Sequence, residues 1–505
     1  MAKAIVVAGV QSRQLYLTTN NRLRQAIGAS QLMDDAIRDL PNYGGRPVYV
    51  GGGNAAVIYD AQDLARKALG EWSLKWLEKA PGIRLVAGLQ EADAKGWARN
   101  WQCARMEKLF AVEERGAFGC ELLALSVTAY CPDTGLAAQR YDHYHRTWKS
   151  SEAFEKQEQS KRDRLHKAPE TELEKLLHAE IVSTGYRFPD DLAELGMPDS
   201  SRQIAIVHCD GNGMGELFED IVRELGESPS EDDFVGRVGR HSAACSEATN
   251  KALVNTFRDM RDRIEAWREA KVLKPRARGA DNFFPARLLV SAGDDATWIC
   301  AGRLGIGSAI RFCRHFEAAT ARILGKPRTA CAGVAIVPLG FPFRRAYEIA
   351  ADLCDNAKMA RKKEGRNEGP ADQSLVDIHA MTEGLTGEIT DVRERYYRAC
   401  IFRDPGPNTH ADSHRPLNLS DDSLNSWNHF ERTWRALQSG EQPWPRSRIK
   451  RLLEELSLSQ ERGQECAELF KSQAYPLPEK VENCFDVLEL FDFHVEWPEV
   501  TKVGA

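Results

Sequence analysis

The sequence lacks the features by which several classes of protein are recognised. None of its 12 cysteines form a Cys-x-x-Cys pair, which argues against a zinc ribbon and favours reduced, buried thiols. No apolar run approaches the roughly 20 residues that cross a bilayer, so we expect no membrane partner and a cytoplasmic location. The net charge of -6 provides no overall basic field that would attract nucleic acid.

What is present is a pattern of alternating strands and helices. A chain of 505 residues is too long for one ordinary core, and the pattern predicts an α/β (α+β) fold class with two α/β units. The expected parts are a first α/β unit (1–145), a charged helical connector exposed to solvent (146–200), a second α/β unit (201–402) and a helical C-terminal domain (403–505). Both α/β units share a strand, a helix and then a hairpin with a Gly-rich tip, which hints at an internal duplication.

The strands and helices can be placed by their periodicity. In the first α/β unit we predict strands at 4–10, 46–50 and 55–59, with helices at 22–40 and 61–79. In the second α/β unit we predict strands at 204–209, 287–291, 296–301, 329–337 and 375–379, with helices at 216–225, 241–270, 305–324 and 344–363.

The first chemical motif follows a buried strand and reads Asp210-Gly211-Asn212-Gly213-Met214-Gly215. Glycines let the backbone approach a ligand closely, and the free N–H groups of a helix start favour phosphate. These residues are therefore candidates for nucleotide binding, with Asp210 and the carbonyl of Gly211 as metal ligands. An ordinary strand-turn-helix with an acidic N-cap would give the same local pattern.

The second motif is the adjacent pair Asp294-Asp295, at the tip of a hairpin between apolar strands. Two neighbouring acids repel each other, and a divalent cation with hard oxygen ligands relieves that repulsion. Alone, such a pair is more often a solvated turn. Together with Asp210 on a neighbouring strand, it predicts a two-metal site for Mg²⁺ or Mn²⁺ in which Asp210, Asp294 and Asp295 are catalytic.

A third candidate is Lys358, near the basic end of the helix at 344–363. It could neutralise the charge of a triphosphate opposite the metals. Cations at a helix C-terminus are also favoured by the helix dipole alone.

These motifs carry a family resemblance. "DGNGMG", "LLVSAGDDATWIC", "ACAGVAIVP", "AYEIAADLCDNAKMARKKEGRN" and "LVDIHAM" follow one another as in the palm of the CRISPR polymerase family. That family comprises the large polymerase-like subunit of type III CRISPR effectors and its stand-alone relatives, and its palm is similar to GGDEF cyclases. The first unit, with "TTNNRLRQAIGASQLMDDAI" and "VYVGGGNAAVIYD", resembles the family's other palm. There Gln11 ends the first strand and Gly53-Asn54 replaces the acidic pair. The resemblance therefore implies two ferredoxin-like palm domains, a degenerate and silent palm at 1–145 and a catalytic palm at 201–402. It also makes Gly52 and Gly53 candidates for binding a second nucleotide.

The resemblance implies a nucleotidyltransferase that makes cyclic nucleotides or oligonucleotides from ATP or other NTPs as signals in antiviral defence. Asp210 and Asp294 would ligate metal, Asp295 would be a ligand or general base, and Lys358 would contact the triphosphate. Asn212 stands where many members have a second acid and is given a supporting role. No HD nuclease motif precedes the first palm, so DNA cleavage is not expected.

Two other hypotheses stay open at this point. The palms could sense a nucleotide or RNA without turnover, or the chain could be a scaffold subunit of a type III CRISPR complex. The candidate partners are viral RNA or protein as an activator, a second copy of the chain, or CRISPR-type subunits.

Overall fold

The structure is a computed structural model, and it describes residues 2–92, 96–117, 128–198, 201–226, 230–275, 281–363, 373–381, 389, 393, 413–420, 422–439 and 443–498. Within these ranges no helix is both long enough and apolar enough to cross a membrane.

The first palm is a four-stranded antiparallel sheet in the order β2-β3-β1-β4, which is the ferredoxin-like arrangement. Successive side chains of its strand β1, AIVVAGVQ, point to opposite faces of the sheet, and both faces are buried. Val6 and Ala8 therefore belong to one hydrophobic core, and Ile5 and Val7 belong to another. Its elements are β1 (Ala4–Gln11), α1 (Arg13–Leu17), α2 (Leu23–Asp39), β2 (Arg46–Gly51), β3 (Asn54–Tyr59), α3 (Gln62–Lys79), β4 (Arg84–Glu91) and α4 (Trp97–Ala117).

The connector differs from its prediction. Its elements are β5 (Arg140–Asp142), β6 (Thr147–Lys149), α5 (Ser151–Ser160) and α6 (Glu172–Glu180). The prediction that it is exposed to solvent is wrong, because α5 packs against α2 and the side chain of Lys156 is fully buried. Burial of this charge is compensated by Glu152 and by the carbonyl of Tyr16, both of which accept from the Lys156 ammonium. Composition alone does not reveal such pairing.

The second palm repeats the arrangement and extends it. Its sheet has the order β12-β11-β10-β7-β9-β8, in which β11 is parallel to β10. The four strands β10, β7, β9 and β8 reproduce the order of the first sheet. The elements are β7 (Gln203–Gly211), α7 (Met214–Leu225), α8 (Glu231–Arg261), α9 (Ile264–Glu269), β8 (Ala286–Ala292), β9 (Asp295–Ala301), α10 (Gly305–Leu324), β10 (Ala330–Pro338), α11 (Phe343–Lys363), β11 (Leu375–Ala380) and β12 (Leu417–Asn418).

One predicted helix of this palm has the wrong bounds. The helix expected at 241–270 is two helices, because α8 begins ten residues earlier and ends at Arg261 before α9. The early start has a local cause: Ser230 caps the helix by accepting from the N–H of Asp233, and three acids follow in the first turn.

The C-terminal part is helical, as predicted. It contains α12 (Trp427–Ser439), α13 (Arg446–Leu458), α14 (Gln460–Ser472) and α15 (Phe485–Leu490). Buried Arg415 connects it to the second sheet, since its guanidinium donates to Asp486, to Glu489 and to the carbonyl of Ile378 in β11. The predicted boundary between 402 and 403 lies outside the described residues, as does the end of the "ARKKEGRN" motif.

Candidate active site between the two palms

The end of β7 presents Asp210 at the edge of the second sheet. Gly211 must be glycine, because a Cβ there would lie 3.0 Å from the Cβ of Asp294 and 2.8 Å from the ring of Phe316. Gly213 has a φ of 68° and forms the N-cap of α7, a left-handed conformation that favours glycine. The strand-turn-helix motif therefore has the predicted local structure.

Other members of this motif do not face the acids. Met214 is buried and belongs to the hydrophobic core, whereas Gly215 is exposed with open space around it. Asn212 is also buried, and its amide donates to the hydroxyl of Thr329 at 2.9 Å. The position where relatives have a second acid is thus part of the internal packing here.

The hairpin between β8 and β9 brings Asp294 and Asp295 to Asp210. Burial, followed by the nearby charge of Asp210, raises the pKa of Asp294 to about 6. The same two causes, with a hydrogen bond to Asp210 and the charge of Asp294 added, raise the pKa of Asp295 well above its usual range. Burial and neighbouring charge therefore disfavour the charged forms of Asp294 and Asp295, and a divalent cation would relieve this.

A lysine already neutralises part of this charge. The Lys358 ammonium, from α11, donates to a carboxylate oxygen of Asp210. Burial lowers the pKa of Lys358, but the charge of Asp210 outweighs it, so the pKa lies above its ordinary value. Across the described ranges, no three His, Cys, Asp or Glu side chains are already arranged to hold a metal ion. The donor set of carboxylates and a carbonyl fits Mg²⁺ or Mn²⁺ chemically, provided that Asp210 leaves Lys358.

The sequence did not reveal a contribution from the first palm. The turn at Gly52 packs directly on the turn at Gly293, where a Cβ on Gly52 would lie 3.5 Å from the Gly293 nitrogen. Arg13, in α1, donates to the carbonyl of Gly52 at 2.8 Å and has its other terminal nitrogen 3.8 Å from Asp295. Its side chain also occupies the space that a Cβ on Gly53 would take. The acidic site is therefore formed by residues of both palms. Arg13 belongs to no recognisable sequence motif, so the sequence did not indicate its role.

Strand register shows which residue of the first palm corresponds to Asp210. The register of β7 with β9 continues to set Asp210 opposite Asp295, and in the first sheet Asn54 pairs with Gly9. The pairings of β1 with β4 and of β7 with β10 give the same correspondence. Gly88 of β4 opposes Val7, two residues before Gly9, and Gly333 of β10 opposes His208, two residues before Asp210. Gly9 thus stands at the place of Asp210, and Gln11, which ends the strand as predicted, donates to the carbonyl of Val112.

A cavity of about 500 Å³ opens between the palms beside Asp295. Its lining includes the Gly51–Gly53 turn and Arg13 from the first palm, and His208, Thr297 and Tyr347 from the second. His208 shares a hydrogen bond with the hydroxyl of Thr297 at 2.8 Å, and burial lowers its pKa to about 4. His208 is therefore neutral near pH 7, and the lining of the cavity combines neutral polar groups with charged ones such as Arg13 and Asp295.

Comparison with known proteins finds a fold but no sequence family. No family model and no curated protein matches the sequence. Among solved structures, the apo Csm1–Csm4 cassette matches with a TM-score of 0.53 and 14% identity, over 97% of this chain and 70% of that one. The cassette in complex with AMPPNP matches with a TM-score of 0.52 and 13% identity, over 97% and 70%. Csm1 of T. onnurineus matches with a TM-score of 0.52 and 14% identity, over 97% and 68%. The chain therefore folds like the CRISPR polymerase Csm1, which is the resemblance that its motifs predicted.

Proposed function

We propose that this protein is a nucleotidyltransferase that joins ATP or other NTPs into cyclic nucleotide or oligonucleotide signals, in antiviral defence. The observation that carries the proposal is the convergence of Asp210, Asp294 and Asp295 at the contact between the two palms. The solved structures add support, because a Csm1–Csm4 cassette of the same fold has been crystallised with one ATP and with pppApApA.

The roles of the residues follow from their positions. Asp210, the carbonyl of Gly211, Asp294 and Asp295 would hold Mg²⁺ or Mn²⁺. When bound, the ions would lower the pKa of the attacking 3'-hydroxyl and stabilise the leaving pyrophosphate. Lys358 would move from Asp210 to the triphosphate, and the backbone at Gly213 would approach a phosphate at the start of α7. Gly52, Gly53 and Arg13 would form the wall of the site that belongs to the first palm.

A second function is favoured by one specific observation. With Asp210 bound to Lys358 and Asn212 in the packing, the site as it stands has fewer free oxygen ligands than a two-metal centre needs. A nucleotide or RNA sensor without turnover would tolerate this arrangement. As partners we propose NTPs together with a subunit of the Csm4 kind, which accompanies Csm1 in the matched cassettes. A viral activator, a second copy of the chain, a scaffold role in a type III complex and the cytoplasmic location remain predictions.

The test is product formation. The full chain is incubated with each NTP and with Mg²⁺ or Mn²⁺, and products are identified by mass spectrometry. We expect a cyclic product that falls by roughly 1000-fold in Asp294→Ala, because one metal ligand is lost. Asp220→Ala, which removes an exposed acid on α7, is the matched control and should keep full activity.

The two functions separate in the same experiment. Calorimetry with ATP and Ca²⁺ measures nucleotide binding without chemistry. If the chain binds ATP but forms no product from any NTP, even in the presence of a Csm4-like subunit, the result would contradict the proposed enzymatic activity and favour the sensor function.

A further inference from the structure

In the first palm, a lysine side chain occupies the position that corresponds to the acidic residues of the second palm. At Gly9, which corresponds to Asp210, a Cβ would lie 2.7 Å from the ammonium nitrogen of Lys108 and 2.5 Å from the side-chain oxygen of Asn54. Asn54, which corresponds to Asp295, accepts a hydrogen bond from that ammonium. The lysine head therefore lies where the second palm places the carboxylate of Asp210.

Lys108 reaches this place from a different helical turn than Lys358 does. A Cβ on Gly88 would meet the carbonyl of Ala104 and the nitrogen of Lys108, and a Cβ on Gly333 would meet the carbonyl of Ala350 and the nitrogen of Cys354. Lys108 thus corresponds to Cys354, one helical turn before Lys358. The cation in the first palm therefore comes from a helix position that has a cysteine, Cys354, in the second palm.

This cation is connected to the acidic site by a short chain of contacts. The amide of Asn54 donates to the carbonyl of Gly52 at 3.0 Å, and Arg13 donates to the same carbonyl at 2.8 Å. Arg13 then lies 3.8 Å from Asp295. Loss of the Lys108 contact would free Asn54, and with it the turn that packs on Gly293 and orients Arg13.

We propose that Lys108 is a fixed cation that replaces the metal ion in the first palm and positions the Gly52 turn and Arg13 against Asp295. The silent palm is then a metal-independent half of the active site. Lys108 acts through Asn54 and Arg13, so it is a positioning residue. Burial and the charges of Arg13 and Arg105 lower its pKa to about 8, in keeping with a charge held at some cost in a confined place.

The replacement of the metal is tested without any activity. In an Asp294→Ala background, the pair Gly9→Asp and Asn54→Asp gives the first palm two acids, and Mn²⁺ bound per chain is counted by electron paramagnetic resonance. With Lys108 retained we expect no Mn²⁺ beyond the background chain, and with Lys108→Ala added we expect one more ion. Equal Mn²⁺ binding with and without Lys108 would overturn the proposal. Circular dichroism checks that each variant folds. If the variants with Gly9→Asp do not fold, Asn54→Asp with and without Lys108→Ala, in the same Asp294→Ala background, gives the comparison.

The positioning role rests on the proposed function and is tested by kinetics. In Lys108→Met, kcat should fall about 10- to 100-fold through misplacement of Arg13, with KM for NTP changed less. Lys108→Arg should restore part of kcat, and Lys67→Met, at an exposed lysine of α3, should leave it unchanged. An unchanged kcat in Lys108→Met would contradict the positioning role. If the wild-type chain has no activity, the proposed enzyme fails while the Mn²⁺ count still decides the replacement of the metal.

Discussion

At the scale of the residue, the ion pair between Lys358 and Asp210 is a central contact of the acidic site. Both side chains are more than two-thirds buried, so the attraction between them is only partly screened by water. In the proposed function the lysine would compete with a metal ion for Asp210, and it would also contact the incoming triphosphate. One side chain would therefore have opposite effects on two binding events.

Removal of this lysine separates the two effects. In Lys358→Met, Mn²⁺ binding without nucleotide should strengthen by about 10-fold, because a competing charge within a few ångströms is removed. The kcat/KM for NTP should fall roughly 100-fold, because a charge that stabilises the phosphates is lost. Calorimetry and steady-state kinetics give the two values, and Lys251→Met on α8 serves as control. A parallel loss of Mn²⁺ binding would mean that Lys358 organises the metal site and does not compete for it.

The acids could be predicted from the sequence, and the cations of the first palm could not. Asp294-Asp295 lies in a Gly-containing turn between apolar strands, and Asp210 directly follows a buried strand, so both patterns are local. Arg13 and Lys108 acquire their roles from partners 39 and 54 residues away, Gly52 and Asn54. Neither contact follows from spacing or composition, because it depends on how the two hairpin turns pack.

At the scale of the element, periodicity located most strands and helices, and burial of charge was the main source of error. The strands β1, β3, β7 and β9 are nearly continuous buried runs, which is typical of strands covered on both faces, and they form the interior of the two sheets. The connector helix α5 looked like a solvated segment because it is rich in Glu and Gln. Its buried charges are paired with each other and with the backbone of the first palm, an outcome that composition does not encode.

The packing of α12 against His494 gives stability a dependence on pH. His494 is fully buried between Trp427, Phe430 and Trp434. Burial, together with the charges of Arg303 and Arg435, lowers its pKa from 6.5 to about 3. Between these values the unfolded chain binds a proton that the folded chain does not, so stability is fully present above pH 6.5 and is lost as the pH falls toward 3.

We therefore expect His494→Phe to reduce the loss of stability in acid. The wild-type chain should lose up to about 1.4 kcal/mol per pH unit below pH 6.5 through this residue. Phenylalanine keeps the aromatic packing and cannot take a proton, and urea unfolding at pH 7.5, 6 and 5 measures the difference. His143→Phe, at an exposed histidine, is the control. Identical slopes for the wild type and His494→Phe would show that His494 is not the titrating group.

At the scale of the whole molecule, the contacts between the two palms include their glycine turns and the packing of α8 on β2. The glycine turns meet through backbone alone at Gly52 and Gly293, and Arg13 lies beside the acids there. The C-terminal part contacts the second palm through Arg415, which joins α15 to β11, and through a backbone carbonyl that accepts from Trp267 in α9. The active site and the C-terminal helices are thus held by different sets of interactions.

This separation makes the attachment at Arg415 testable apart from catalysis. In Arg415→Met, Asp486 keeps its burial but loses its charged partner, which should cost about 3–5 kcal/mol of the free energy of unfolding. Arg435→Met, at a half-exposed surface pair with Glu431, should cost no more than about 1 kcal/mol. Adding Asp486→Leu to Arg415→Met should recover much of the loss, because no unpaired charge then remains buried. Denaturant unfolding of the four chains gives these values, and ATP binding with Ca²⁺ should be unchanged in each folded variant. A cost in Arg415→Met as small as that of Arg435→Met would mean that contacts other than the Arg415 ion pairs hold the helices in place.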